Sequence, residues 1–151
     1  MNRKIITLTS QPSAGTSAPN SSKDRVVIKN VLIIEDEPII VSSIKMRLLR
    51  RYPKLKLFVA ATISLAMKIY QTRQIDLAIL DQDLGEEGSG LEFIKRIRPK
   101  DQRLLLAVYG EKNKYYYYNV EELVPNVMLE RDHRLLVTML AKNTGKLVFA
   151  E

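Results

Sequence analysis

The sequence predicts an α/β domain with a five-stranded parallel sheet covered by helices on both faces. Five short apolar runs alternate along the chain with longer amphipathic stretches. The runs are continuously apolar, as expected for parallel strands that are buried on both faces. Strands that alternate with helices in this way form one sheet with helices packed on either side.

The two ends of the chain differ in composition from its centre. Residues 10–22 are mostly Ser, Pro, Ala, Gly, Thr, Asn and Gln without apolar periodicity, so residues 1–25 are predicted to be a flexible leader. The domain is predicted to span residues 26–145. Residues 146–151 are assigned to a C-terminal tail, and the short remainder predicts a stand-alone domain without a DNA-binding output domain.

The first half of the domain predicts two strands and two helices. The apolar run 31–34 forms the first strand, and Pro38 then suits the first turn of a helix, where its missing N–H costs nothing. The inward face of this helix repeats at helical spacing, through Ile40, Ile44 and Leu48. The helix ends before Pro53. Residues 55–59 form the second strand, and Thr62 is the predicted cap of the second helix.

The second half predicts three more strands separated by helices. These strands are residues 77–80, 104–108 and 127–129. A glycine-containing loop, residues 85–90, leads into a helix that ends at Pro99. Residues 111–123 and 131–142 are predicted to form the remaining helices.

Few topologies satisfy the right-handed crossover rule for such a sheet. The commonest at this size is the flavodoxin-like (βα)5 arrangement with strand order 2-1-3-4-5. Ligands of these sheets bind outside the carboxyl ends of the strands, where the first and third strands are neighbours.

Acidic residues follow the first and third predicted strands. Glu35 and Asp36 come directly after the first strand, and Asp81 and Asp83 come after the third. Carboxylates that converge in one crevice repel one another unless a cation neutralises them or some keep their protons. Oxygen ligands on loops suit Mg²⁺, so the sequence predicts a magnesium site here.

Three segments of the chain resemble the receiver domain of two-component response regulators (the CheY-like superfamily). They are residues 31–38 (VLIIEDEP), 76–84 (DLAILDQDL) and 88–98 (GSGLEFIKRIR). The similarity extends over residues 28–142, and the first two motifs are specific in combination because each lies where the other requires it.

The resemblance implies a role for each acid. Asp81 matches the aspartate that accepts a phosphoryl group, and Glu35 and Asp36 match the pair that holds Mg²⁺ beside it. Asp83 matches the position that gives a backbone carbonyl to the metal, and residues 85–90 match the loop over the site.

The resemblance also implies partners and a location. A sensor histidine kinase or phosphotransfer protein is expected to donate the phosphoryl group, and a downstream protein is expected to receive the signal. The protein is expected to be cytoplasmic, with no activity beyond phosphorylation and dephosphorylation at Asp81.

The sequence departs from the receiver pattern at two positions. A Ser or Thr normally ends the fourth strand and a Lys ends the fifth, and both bind oxygens of the aspartyl phosphate. Tyr109 occupies the hydroxyl position here, or Val108 if the strand is displaced by one residue, and the longer side chain of Tyr109 is expected to point outward. Leu129 or Glu130 occupies the lysine position.

Two surfaces are candidates for binding partners. Tyr115, Tyr116, Tyr117 and Tyr118 form a run where receivers commonly meet their targets, and aromatic residues are enriched at interfaces. The basic side of the first helix matches a surface where receivers meet kinases, although a solvated helical face is the simpler explanation. A homodimer is a further alternative.

Two other functions remain open. A pseudoreceiver would bind partners without phosphorylation. A Toprim-like enzyme would use similar acids and Mg²⁺ for phosphoryl transfer on nucleic acid, but that family expects a glycine where Asp36 follows Glu35.

Composition excludes several classes of protein. The chain has no cysteine and a single histidine, His133, to which we assign no role. Its apolar runs are far shorter than the roughly 20 residues of a spanning helix, so no membrane partner is predicted. The net charge of +7 is typical of a solvated surface, and no nucleic-acid partner is predicted.

Overall fold

A computed structural model describes residues 26–85, 88–110, 128–142 and 147–150. The predicted leader, the predicted helix at 111–123 and the tyrosine run 115–118 lie outside the described residues.

The described strands form one large sheet and one small sheet. In chain order the strands are β1 (Val26–Ile28), β2 (Asn30–Ile34), β3 (Lys56–Ala60), β4 (Leu77–Asp81), β5 (Leu105–Tyr109), β6 (Met128–Glu130) and β7 (Leu147–Phe149). The large sheet is parallel throughout and has the order β3-β2-β4-β5-β6. This is the predicted order 2-1-3-4-5, displaced by the additional strand β1, and the predicted fold class is confirmed.

Four α-helices are described. They are α1 (Pro38–Arg51), α2 (Ile63–Thr72), α3 (Leu91–Ile97), which continues into a 3-10 turn, and α4 (His133–Lys142). Pro38 lies in the first turn of α1, and the Leu65 N–H donates to the Thr62 hydroxyl at 3.1 Å, as a helix cap requires. In the described part of the chain, none of the helices has the length and apolarity to cross a membrane.

The two faces of the large sheet bury two apolar clusters. Ile33 and Ile79 lie in the cluster that packs against α1 and α4, whereas Leu32 and Ala78 lie in the cluster with α2 and α3. Successive side chains of a strand point to opposite faces. The side chains of Glu35 and Asp81, two residues beyond Ile33 and Ile79, therefore leave the backbone on the α1 and α4 side of the sheet.

The sequence assigned residues 146–151 to a tail, but the structure places a strand there. Leu147–Phe149 pairs in parallel with Val26–Ile28, and the Phe149 side chain is only 5% exposed. Its ring stacks on Tyr52, at the end of α1, with 4.3 Å between ring centroids. Burial and stacking therefore make a three-residue segment near the C-terminus part of the core.

Replacing Phe149 with leucine is expected to lower the free energy of unfolding by about 1–2 kcal/mol, because it removes the stacked ring while keeping an apolar side chain. Urea denaturation measures the loss. Val27→Leu, on the 47% exposed neighbouring strand position, is the control, with an expected change within about 0.5 kcal/mol. An unchanged stability in Phe149→Leu would show that the stacking of Phe149 on Tyr52 does not stabilise the fold.

Candidate functional site

The strand register brings four polar side chains to one edge of the large sheet. Ile34 pairs with Leu80, so Glu35 and Asp81 follow at the same level on neighbouring strands. Asp81 pairs with Tyr109, and Tyr109 pairs with Glu130. These residues form a row across the carboxyl ends of β2, β4, β5 and β6. The predicted switch point is thus the place where the acids meet.

Three carboxylates of this row and its adjoining loop form a cluster. Glu35, Asp36 and Asp81 can each offer an oxygen, and these oxygens lie within 4.8 Å of one another. Asp83 is not in the cluster. Its carboxylate accepts the Gly85 N–H at 2.9 Å, and its own N–H donates to Asp81 Oδ1 at 2.9 Å. The side chain of Asp83 thus shapes the loop, and its predicted role through a backbone carbonyl stays a prediction.

Burial makes this cluster unfavourable for negative charge. Glu35 is 1% exposed, and burial raises the pKa of its carboxyl. Burial, reinforced by the neighbouring charge of Glu35, raises the pKa of Asp81 to about 8. Without a cation, the pocket therefore holds a proton at neutral pH that an exposed pair of carboxyls would release.

The donor set of the cluster fits Mg²⁺. All three side chains are carboxylates, which are hard oxygen ligands, and Mg²⁺ typically uses few protein carboxylates and keeps several waters. The part-exposed Asp81 and the exposed Asp36 leave one side of the cluster open to water. A divalent cation bound there would also offset the charge of Glu35, which adds to the effect of burial on the pKa of Asp81.

Tyr109 does not point outward, and that expectation was wrong. Its side chain is 4% exposed, and its hydroxyl donates a hydrogen bond to Glu35 Oε1. Tyr109 pairs with Asp81 and lies on the α1 and α4 side of the sheet, and its side chain reaches Glu35, directly after β2. Burial first, and then the charge of Glu35, raise the pKa of the Tyr109 hydroxyl, which stays a neutral donor.

Glu130, not Leu129, occupies the position where receivers have lysine. Glu130 pairs with Tyr109, whereas Leu129 packs against the cluster on the opposite face of the sheet. The carboxylate of Glu130 is half-buried and accepts the N–H of Arg131 at 3.3 Å. A position at which the receiver pattern expects a lysine therefore carries a glutamate in this chain.

Two residues to which the sequence assigned no role lie next to the pocket. The His133 ring, at the start of α4, meets the Tyr109 ring with 5.9 Å between centroids and 61° between planes. His133 Nε2 lies 3.1 Å from the Ser43 hydroxyl oxygen on α1. A lone histidine and a helical serine carry no sequence signal for such a contact, because it depends on the packing of two distant helices.

The loop after β4 turns tightly under the acidic cluster. Gly85 and Gly88 have φ of +64° and +99°, a conformation that glycine adopts without strain. The Leu84 N–H donates to the Gly88 carbonyl at 2.7 Å. Gly90 then lies against the Asp81 backbone so closely that a Cβ there would overlap the Asp81 carbonyl oxygen. The loop thus fixes the end of β4.

A parallel doubly wound domain with an acidic cluster at its switch point is the architecture of a receiver-type signalling module. Residues 31–121 match the family model of the response regulator receiver domain, and the chain belongs to this family. The match favours the receiver over the Toprim-like alternative. No curated protein shows a significant match.

Solved structures of response regulators have the same fold. The RcsB response regulator of Salmonella typhimurium is 20% identical with a TM-score of 0.61; the match covers 76% of this chain but only 58% of that chain. The RcsB receiver domain of Escherichia coli is 18% identical with a TM-score of 0.61, over 82% of this chain and 99% of that chain. The MaeR response regulator, bound to beryllium trifluoride, is 26% identical with a TM-score of 0.51, over 65% of this chain and 78% of that chain.

Proposed function

We propose that this receiver accepts a phosphoryl group on Asp81, with Mg²⁺ held by Glu35 and Asp36, and signals by binding another protein. The donor is a sensor histidine kinase or phosphotransfer protein, in the cytoplasm. The observation that supports this most is the cluster of Glu35, Asp36 and Asp81 at the switch point. The family itself supports a receiver-like signalling role.

The proposed reaction is a direct displacement at phosphorus. An oxygen of the ionised Asp81 carboxylate forms a bond to phosphorus while the bond from phosphorus to the donor's imidazole nitrogen breaks, and that nitrogen keeps the electron pair. Mg²⁺, when bound, supplies positive charge that offsets the carboxylates and the phosphoryl oxygens. The Asp83 N–H orients Asp81, and the Tyr109 hydroxyl and the Glu37 N–H orient the two oxygens of Glu35.

A phosphorylation-independent interaction module is the second candidate. Two observations favour it: the Tyr109 hydroxyl is engaged by Glu35, and Glu130 replaces the lysine that would bind a phosphoryl oxygen. The half-buried carboxylate of Glu130 offers no positive charge to a phosphoryl oxygen.

Beryllium trifluoride, a mimic of the phosphoryl group, separates these candidates. With Mg²⁺ it is expected to shift the backbone amide signals of residues around Asp81 in the wild type and in Asp83→Asn, in which the amide oxygen still accepts the Gly85 N–H. Asp81→Asn is expected to show no such shift. Shifts with Mg²⁺ alone, and none on adding beryllium trifluoride, would support the interaction module instead.

A further inference from the structure

Tyr109 connects the acidic pocket to the contact between the first and last helices. Its hydroxyl donates to Glu35, and its ring meets that of His133 on α4. His133 in turn lies within hydrogen-bond distance of Ser43 on α1. The described contacts therefore form an unbroken path from a pocket carboxylate to two helices.

The residues of this path are buried or half-buried and closely packed. Tyr109 and Glu35 are both buried, and His133 is half-buried between Ser43 and the tyrosine ring. Helices α1 and α4 pack on the same face of the sheet as the Tyr109 side chain. A change in how Glu35 is bound alters the bond that holds the Tyr109 hydroxyl, and close packing transmits small shifts to neighbouring side chains.

We propose that Tyr109 is a coupling residue that reports the state of the acidic pocket to the α1–α4 contact through His133 and Ser43. This inference rests on the proposed binding of Mg²⁺ at Glu35 and Asp36. It assigns a positioning role to Tyr109, and it gives the pocket a route to the helices without the Ser or Thr and the Lys of the usual receiver pattern.

The single histidine of the chain makes the proposal measurable. One imidazole Hε1 resonance is expected in the proton spectrum, and it belongs to His133. Burial lowers the pKa of His133, so at about pH 8 the ring is neutral and its resonance does not report protonation. Saturating Mg²⁺ is expected to shift this resonance in the wild type.

Tyr109→Phe is the decisive variant, because it keeps the ring and removes the hydroxyl. We expect it to lose most of the His133 shift at a Mg²⁺ concentration that calorimetry shows to saturate the variant. Tyr70→Phe is the matched control, since Tyr70 also donates to a carboxylate, that of Asp101, away from the pocket. It is expected to keep the full shift.

Ser43→Ala tests the far end of the path with the pocket intact. We expect it to keep the His133 shift but to lose the response of the α1 amide signals around position 43. A wild type that binds Mg²⁺ without a His133 shift, or a Tyr109→Phe variant that keeps the shift, would refute the coupling alone. Absence of Mg²⁺ binding in the wild type would refute both the coupling and the proposed function.

Discussion

Replacing Asp81 with asparagine is expected to stabilise the cation-free protein by about 2 kcal/mol at about pH 8.5 and to abolish its response to Mg²⁺ and phosphoryl donors. Asparagine removes a half-buried charge beside Glu35 but keeps an oxygen that accepts the Asp83 N–H. The full pKa shift corresponds to a larger energy, but solvent reaches part of this carboxyl and screens it.

The pH dependence follows from the direction of the pKa shift. The folded protein holds a proton on Asp81 up to about pH 8, whereas the unfolded chain releases it near pH 4. The contribution of Asp81 to wild-type stability in a chelator is therefore highest below the unfolded pKa and is lost as pH rises through the folded pKa. Asp81→Asn is expected to reduce this loss of stability with rising pH. Its gain in stability over the wild type therefore becomes smaller towards acid pH.

Urea denaturation at a series of pH values in a chelator measures both effects. Asp83→Asn is the matched control, because it removes a neighbouring carboxylate outside the cluster and is expected to change stability by no more than about 0.5 kcal/mol. An Asp81→Asn variant that is destabilised at alkaline pH, or whose gain in stability over the wild type does not grow from acid to alkaline pH, would show that burial does not raise the pKa of Asp81.

Replacing Gly90 with alanine is expected to lower the free energy of unfolding by about 3 kcal/mol, because the added methyl group overpacks a tight contact. The new Cβ would overlap the Asp81 carbonyl oxygen and lie 2.8 Å from Leu80 Cδ1. Because the overlapping oxygen belongs to the backbone, the end of β4 must move, and Asp81 must move with it. Calorimetry is expected to show weaker Mg²⁺ binding.

Gly110→Ala is the control for this prediction. A Cβ at that position would overlap the side chain of Gln82 rather than backbone, and a side chain relaxes more easily. We expect a smaller loss of stability, about 1–2 kcal/mol, with Mg²⁺ binding retained. Equal losses in the two variants would show that the contact between Gly90 and Asp81 has no special role.

The sequence was sufficient for the elements whose signals are local. The apolar run 31–34, Pro38 in the first turn of α1 and the Thr62 cap are all found in the structure, with strand ends displaced by a residue. The convergence of Glu35 and Asp81 was also predictable, because the crossover rule leaves few strand orders and each acid directly follows a strand.

Features that depend on contacts between distant segments were not predictable. Residues 26–28 and 147–149 are short apolar runs at opposite ends of the chain, and propensity alone does not show that they pair. The expectation that Tyr109 points outward was based only on the length of its side chain. The structure provides a buried acceptor, Glu35, directly after β2, so the longer side chain is accommodated inside.

The choice between Leu129 and Glu130 depended on strand register. The two residues point to opposite faces, and a shift of one residue exchanges them. The pairing of Glu130 with Tyr109 assigns it to the pocket side.

The intact mass of the protein after incubation with acetyl phosphate and Mg²⁺ tests the central proposal most directly. We expect the mass of the wild type to increase by one phosphoryl group. We expect no increase in Asp81→Asn, or in the wild type when a chelator removes Mg²⁺. Asp83→Asn, which retains the carboxylate cluster, is expected to be modified as the wild type is. An unmodified wild type under conditions in which Mg²⁺ binds would contradict phosphoryl acceptance at Asp81.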